Sequence, residues 1–287
     1  MRRAVVILAI LAVLATGVFV ALQRFNAQKE RSALDDPWPL GAGPAGAVAS
    51  RYPNQETTPA AQRLTQLAKY FRIPLGPKRE GDPAIARPLQ RDLEPYLDAQ
   101  IARPSFAVDP APPLLVSIFG TAQFAAIRAE LLRGEPIGWP VRFERSGSPP
   151  NLTGHLMLHR LLIASALERA RRGDAGAWDD LRASRELNRS LWSRPEVLSH
   201  VVALQMTRTA VAAARKLPPP APPWFEEMLG EEMEPRFVRS LQAEVALSGS
   251  TPALHLARRT TEQAVASRAC AVDGPAFDKR VGEDAPP

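Results

Sequence analysis

The sequence predicts an all-α fold, an irregular helical bundle of antiparallel hairpins behind an N-terminal transmembrane helix. Three observations predict it. Apolar residues recur at helical spacing in most segments after residue 58, and short clusters of proline and glycine separate these segments. No segment shows a clear strand pattern. The chain also opens with a long run of uncharged residues, which is typical of a membrane span.

Composition limits the function classes. The chain has 287 residues and 45% of them are hydrophobic, enough for a sizeable core. The net charge is +6, but the basic residues are scattered and aromatic residues make up only 6%. This pattern does not favour nucleic-acid binding. Cys270 is the single cysteine, so it cannot form an internal disulfide, and no cofactor is expected.

Residues 1–31 are predicted to be an N-terminal anchor with its flanks. No charge occurs from Ala4 to Leu22, a stretch long enough to cross the roughly 30 Å hydrocarbon core as a helix. A cleaved signal peptide is the alternative, but Leu22 and Gln23 stand where small residues would be needed. A buried core helix is the other alternative. We favour a retained helix that binds the chain to the membrane.

The orientation of this anchor follows from its flanks. Arg2 and Arg3 lie on one side and Arg24, Lys29 and Arg31 on the other, so the charge rule is nearly balanced. A very short basic N-terminus usually stays inside. We therefore expect a single-pass protein of the bacterial cytoplasmic membrane with most of its chain outside the cytoplasm, periplasmic or on the cell surface. Residues 32–58, rich in Pro, Gly and Ala, are predicted to be a linker.

The helical domain is predicted over residues 59–270. Its first helix begins after Thr58, a plausible cap, with Pro59 at its first position. Residues 83–103 predict one or two helices broken by prolines, and Pro113 to Arg133 predicts another that Gly134 ends. A proline-rich connector follows, with a short extended piece at Pro140 to Glu144.

The segment 151–217 gives the densest helical signal. A helix is predicted from about Thr153 to Arg172, a second after Asp174 as its cap, and a third after Pro195. Linkers this short favour antiparallel neighbours. Further helices are predicted near Trp224–Leu247 and Pro252–Cys270, followed by a loose tail at 271–287.

Two resemblances accompany these helices. The stretch "RRGDAGAWDDLRASREL" resembles the turn and second helix of a tetratricopeptide repeat, with Gly173 and Asp174 at the turn and Ala177, Leu181 and Ser184 at packing positions. No second copy is visible. The stretches "NLTGHLMLHRLL", "RRGDAGAW" and "LNRSLWSRPEVLSHVVALQ" are similar to an uncharacterised group of bacterial membrane-anchored helical proteins. That resemblance implies an architecture and no mechanism.

His155 and His159 are the candidate metal ligands. Two histidines four positions apart on a helix can bind zinc or copper, and here they lie on the apolar face. Leu156 stands where the metalloprotease motif needs glutamate. A third ligand would come from His200, His255, Cys270 or a carboxylate. The alternatives are hydrogen bonds within a helix seam, which we favour, and pH sensing.

Asn188, Gln205 and Trp178 are the candidate ligand-binding residues. Helical spacing places Asn188 beside Leu181 and Leu191, and Gln205 beside Leu198 and Val202, so both amides are predicted to face inward. Buried amides need partners. They either fix the register of the bundle or line a polar pocket.

The sequence favours an extracytoplasmic helical interaction module whose partner is another envelope protein. One alternative is a domain that binds a small polar ligand. The other is a metal-dependent hydrolase using His155 and His159. No serine elbow, phosphate-binding glycine loop or dinucleotide fingerprint occurs, so an enzyme is the less favoured class.

Overall fold

The chain is mostly helical, as predicted. A computed structural model describes residues 37–38, 43–44, 47–52, 54–77, 85–103, 106–141 and 150–248. The predicted N-terminal span, the predicted helix at 252–270 and the tail at 271–287 lie outside these residues.

The contacts divide the chain into two units. One unit is Ala49–Glu244 and the other consists of Met1–Val48 and Val245–Pro287. In the second unit, β1 (Pro37–Trp38) pairs antiparallel with β2 (Gly43–Pro44), with Pro37 opposite Pro44. Both strands belong to the stretch predicted as a linker.

Ten helices are described. In chain order they are α1 (Val48–Arg51), α2 (Pro59–Lys69), α3 (Arg87–Ala102), α4 (Pro113–Phe119), α5 (Ala122–Leu132), α6 (Leu152–Arg171), α7 (Ala177–Trp192), α8 (Val197–Ala214), α9 (Pro223–Leu229) and α10 (Glu234–Ser248).

Several helix starts follow local chemistry. Thr58 caps α2, as predicted, because its hydroxyl accepts a hydrogen bond from the Ala61 amide. Asn151 caps α6 in the same way through the Gly154 amide. Asp174 is not the N-cap of α7. Its carboxylate accepts from the Gly176 amide within the turn, one residue before Ala177.

Two predicted helices are each divided in the structure. The helix predicted from Pro113 to Arg133 breaks at Gly120, where α4 ends and Thr121 caps α5 through the Phe124 amide. The two pieces bend by 60°. The helix predicted near Trp224–Leu247 likewise ends at Gly230 before α10 begins. Conversely, α3 continues through Pro95 as one helix.

Helix α6 lies at the centre of the core. It packs most extensively on α7 and also contacts α3, α4 and α8. From Leu161 to Glu168 every residue is buried, so no side of the helix meets solvent there. The surrounding apolar core is continuous from Ala61 to Met228.

An extended segment fastens α2 to the rest of the unit. Gln55 and Val141 exchange two backbone hydrogen bonds at 3.0 and 2.9 Å, and the Thr58 amide donates to the Gly138 carbonyl at 3.0 Å. Val141 belongs to the extended piece predicted at Pro140–Glu144, of which residues 142–144 lie outside the described chain. A second pairing, Asn151 to the Gly76 carbonyl, joins the loop after α2 to the start of α6.

Candidate functional site

His155 is enclosed at the start of α6. Its side chain is fully buried, and Nδ1 donates to the Asn151 carbonyl at 2.8 Å. The ring meets Trp139 edge to face at 4.9 Å between centroids. Burial lowers the pKa of His155 to about 4, so the imidazole is neutral near pH 7. Its Nε2 makes no hydrogen bond to the described part of the chain.

His159 lies one turn further along α6 and has a different partner. Its Nδ1 is 2.6 Å from the Ser184 hydroxyl of α7, and the side chain is again fully buried. Burial lowers the pKa of this histidine to about 3. The two imidazoles therefore bond in different directions, one to the loop before α6 and the other across the α6–α7 seam.

A third ligand for a metal does not come from the described residues. His200 of α8 donates from Nε2 to the Arg194 carbonyl at 2.7 Å and packs against Trp192. In the described ranges, no three His, Cys, Asp or Glu side chains are grouped to hold an ion. His255 and Cys270, two of the sequence candidates, lie outside those ranges.

The predicted ligand-binding residues are separated in the structure. Asn188 is buried, and its amide nitrogen donates to the Ala203 carbonyl at 3.0 Å and the Thr207 hydroxyl at 2.8 Å. Trp178 is half-buried and donates to the Pro218 carbonyl at 2.8 Å. Both side chains therefore join α7 to neighbouring segments.

The inward placement of Gln205 is wrong. Gln205 is exposed, and Leu198, predicted to face inward with it, is 57% exposed. The buried face of α8 instead carries small residues with one histidine and one methionine. They are Ser199, His200, Ala203, Met206, Ala210, Ala213 and Ala214. Nearly every position of α8 is apolar or small. The spacing of apolar residues in its sequence is therefore compatible with burial of either of two faces.

A buried carboxylate joins three helices. Asp180 of α7 is fully buried and accepts from the Ser165 hydroxyl of α6 at 2.7 Å and from Arg128 of α5 at 3.0 Å. Arg169 lies 3.6 Å away. Burial raises the pKa of Asp180, while the two guanidiniums oppose that shift. With its oxygens already bonded, this carboxylate stabilises the helix junction and is not placed as a free acid or base.

Two features of the surface were not predicted. The first is the outer face of α8, formed by Leu198, Val201, Leu204, Gln205 and Arg208. The three apolar residues are 57%, 46% and 40% exposed. Helix α8 contains no carboxylate, and the guanidiniums of Arg208 and Arg215 have no ion-pair partner in the described chain. By length and composition alone, α8 is also apolar enough to cross a membrane, although a core helix passes the same test.

The second feature is a pocket of about 340 Å³ beside α2, which we call the α2 pocket. One wall carries Gln62, Thr65, Gln66 and Lys69, and the other is the segment 74–77. Thr57 and the buried Trp139 complete it. The helical wall is a polar stripe whose residues are spaced by three, one and three positions from Gln62 to Lys69, and this spacing is visible in the sequence. Nothing in the sequence distinguishes such a stripe from an ordinary solvated face.

These two features of the unit Ala49–Glu244 are the candidate sites, and each is interpreted from its own chemistry. No protein-family model, no curated protein and no solved structure matches the chain.

Proposed function

We propose that the protein is a membrane-anchored helical interaction module that works outside the cytoplasm and binds a partner protein through the outer face of α8. The observation that carries this proposal is the exposure of Leu198, Val201 and Leu204 along one face of a helix. Exposed apolar side chains that lie together, with polar residues around them, are typical of a contact surface. The tetratricopeptide-like packing of α6 on α7 and the N-terminal transmembrane anchor belong to the same proposal.

The spacing of this surface suits a helix as the occupant. Leu198, Val201, Gln205 and Arg208 are separated by three, four and three residues, the alternation by which one helix packs along another. The apolar residues occupy the first half of α8 and the arginine the second. A partner helix would place apolar side chains against the first half.

Charge indicates which helix would fit. Arg208 and Arg215 are exposed and α8 offers no carboxylate, so a partner helix with Asp or Glu near these positions would complement them. A second copy of α8 would bring two more arginines and no carboxylate. A bilayer surface would favour aromatic residues on the apolar side, and the outer face has none. We therefore commit to an acidic amphipathic helix of another envelope protein.

Photo-crosslinking in the cells that make the protein tests this surface. A benzophenone amino acid at Val201 is expected to crosslink to a peptide with helically spaced apolar residues and at least two carboxylates. The same amino acid at Ala129, an exposed position of α5, is the matched control and is expected to give no such product. Crosslinks only to lipid, to a second copy of this chain, or to nothing would overturn the proposal.

Charge reversal tests the chemistry of the partner separately. The double variant R208E/R215E is expected to lower the yield of the Val201 crosslink about tenfold, since two exposed ion pairs together contribute about 1–2 kcal/mol. The control is Arg72→Glu, a single charge reversal at an exposed position in the turn after α2. An unchanged yield with R208E/R215E would show that the partner does not use carboxylates.

Membrane fractionation tests the anchor. The full chain is expected to remain in the membrane pellet after alkaline carbonate extraction, whereas a chain lacking residues 1–31 is expected in the supernatant. Release of the full chain by carbonate would contradict the anchor without affecting the α8 surface.

A further inference from the structure

The α2 pocket has two chemically different walls. Its helical wall, Gln62, Thr65, Gln66 and Lys69, presents amides, a hydroxyl and an ammonium group. Its opposite wall, Pro74 to Pro77, presents ring and side-chain carbons, and the fully buried Trp139 lies behind that wall. A ligand that fills it would have polar groups on one side and C–H groups on the other.

The walls are fixed before any ligand binds. Trp139 donates to the Ser190 hydroxyl at 3.0 Å and packs against His155. Gly76 lies against the same indole, and a methyl group on its Cα would be 3.5 Å from the ring. The Thr58 hydroxyl accepts from the Gly138 amide at 3.0 Å, which fixes the start of α2 to the Trp139 segment. Preorganised walls lower the cost of binding.

The loop wall, residues 74–77, is held in place by contacts with the start of α6. The Asn151 amide donates to the Gly76 carbonyl at the start of α6. Gly154 lies so close to this loop that a methyl group on its Cα would be 1.7 Å from the Pro74 carbonyl oxygen. The loop therefore sits directly on α6.

The free polar groups of the pocket define the ligand's charge. Lys69 is the one charged side chain among the described residues that line the pocket, and it makes no ion pair there. Gln66 and the Thr57 hydroxyl also make no hydrogen bond to the described chain. The Thr65 hydroxyl donates to the Ala61 carbonyl at 2.7 Å and can still accept. Among the described lining residues, one cation, several neutral donors and acceptors and no carboxylate suit a hydroxylated monoanion.

We propose that the α2 pocket binds a sugar acid, a ring of monosaccharide size that carries hydroxyl groups and one carboxylate. Lys69 pairs with the carboxylate, and Gln62, Gln66 and Thr65 bond the hydroxyl groups. The C–H face of the ring rests on the 74–77 segment, which the buried Trp139 supports from behind. A pocket of about 340 Å³ is at the small end of ligand sites, which fits a single ring. This proposal does not depend on the α8 surface.

Saturation-transfer NMR on the full-length protein tests the site with D-glucuronate, D-glucose and acetate as probes. Glucuronate is expected to bind. Glucose, which lacks the carboxylate, and acetate, which lacks the hydroxylated ring, are each expected to bind at least about tenfold more weakly. Equal binding of acetate and glucuronate would show a bare anion site and overturn the proposal, and so would the absence of any binding.

Matched charge variants locate the binding. Lys69→Gln is expected to reduce glucuronate affinity about tenfold and to leave the weak glucose signal unchanged. Arg72→Gln removes an equal charge three residues away, outside the pocket lining, and is expected to change neither. An unaltered melting temperature in both variants shows that folding is intact. Equal losses in the two variants would mean that the anion responds to general surface charge, which also overturns the proposal.

Discussion

His155 and His159 show how a pair of residues with a familiar spacing can be structural. Both imidazoles are fully buried and neutral; His155 bonds the carbonyl of Asn151, the cap of α6, and His159 bonds the Ser184 hydroxyl of α7. Helical spacing predicted that they lie on the apolar face of α6, and this placement is confirmed. The contacts with Ser184 and Trp139 could not be predicted, because these two residues are distant in the sequence and meet the rings only after the helices pack.

These two histidines predict an acid-sensitive fold. In the unfolded chain each takes up a proton below about pH 6.5, whereas in the folded protein the pKa values are about 4 and 3. Their contribution to stability is therefore fully present above pH 6.5 and is lost as the pH falls towards 4 and 3. At pH 5 the expected loss is about 2 kcal/mol for each histidine.

Urea unfolding at pH 7.5 and pH 5 measures this loss. In His159→Asn the difference between the two pH values is expected to be smaller by about 2 kcal/mol, whatever the variant's stability at pH 7.5. A difference as large as that of the unchanged protein would mean that His159 is protonated in the folded state.

Helix α8 shows that the periodicity of apolar residues does not always predict which face of a helix is buried. Its existence and its start near Pro195 were predicted correctly, yet the face assigned to the core by Leu198 and Gln205 is exposed. The buried face of α8 is rich in alanine, and at Ala203 its backbone carbonyl lies 3.0 Å from the Asn188 amide nitrogen of α7. A helix with apolar residues on nearly every side does not reveal its buried face through its own sequence.

Substitutions on the buried face and on the exposed face of α8 should differ in their effect on the free energy of unfolding. Ala203 is fully buried, so Ala203→Leu is expected to cost about 1–3 kcal/mol through overpacking. Leu198→Ala on the exposed face is expected to change stability by no more than about 0.5 kcal/mol. Thermal unfolding of both variants gives the comparison. If Leu198→Ala were the more destabilising variant, the face that the sequence predicted to be buried would be the buried one.

The start of α6 depends on a close approach at Gly154. A methyl group there would overlap the Pro74 carbonyl oxygen, and backbone can yield only by moving the loop. Gly154→Ala is therefore expected to lower the free energy of unfolding by about 1–3 kcal/mol. Gly120→Ala is the control, since its added carbon would meet only ordinary contacts at 3.7 Å. Similar melting temperatures for both variants would show that the loop moves freely.

The whole helical core lies within one unit. Every residue of the continuous apolar core falls between Ala61 and Met228, inside Ala49–Glu244. The sequence predicted the all-α class and most helix bounds because these depend on local spacing and caps. It missed the breaks at Gly120 and Gly230, where a single glycine ends a helix that apolar spacing would have continued. The α2 pocket is formed by α2, the loop that follows it and the distant Trp139, and this packing could not be predicted from the sequence.

A fragment of residues 49–244 is therefore expected to fold alone. Circular dichroism should show helical content and a single sigmoidal thermal transition. A fragment of residues 49–194 lacks α8 and would leave Asn188 and Trp192 without their partners Ala203 and His200, so it is expected to lose this transition. A gradual, non-cooperative melt of the longer fragment would mean that its core needs the rest of the chain.

The enclosure of α6 on all sides has a consequence for amide protons. Backbone N–H groups between Leu161 and Glu168 can reach deuterated solvent only when the surrounding helices separate. Their exchange rates in heavy water should therefore be the slowest in the described chain and should track global unfolding. The amides at both ends of α10 should exchange long before them.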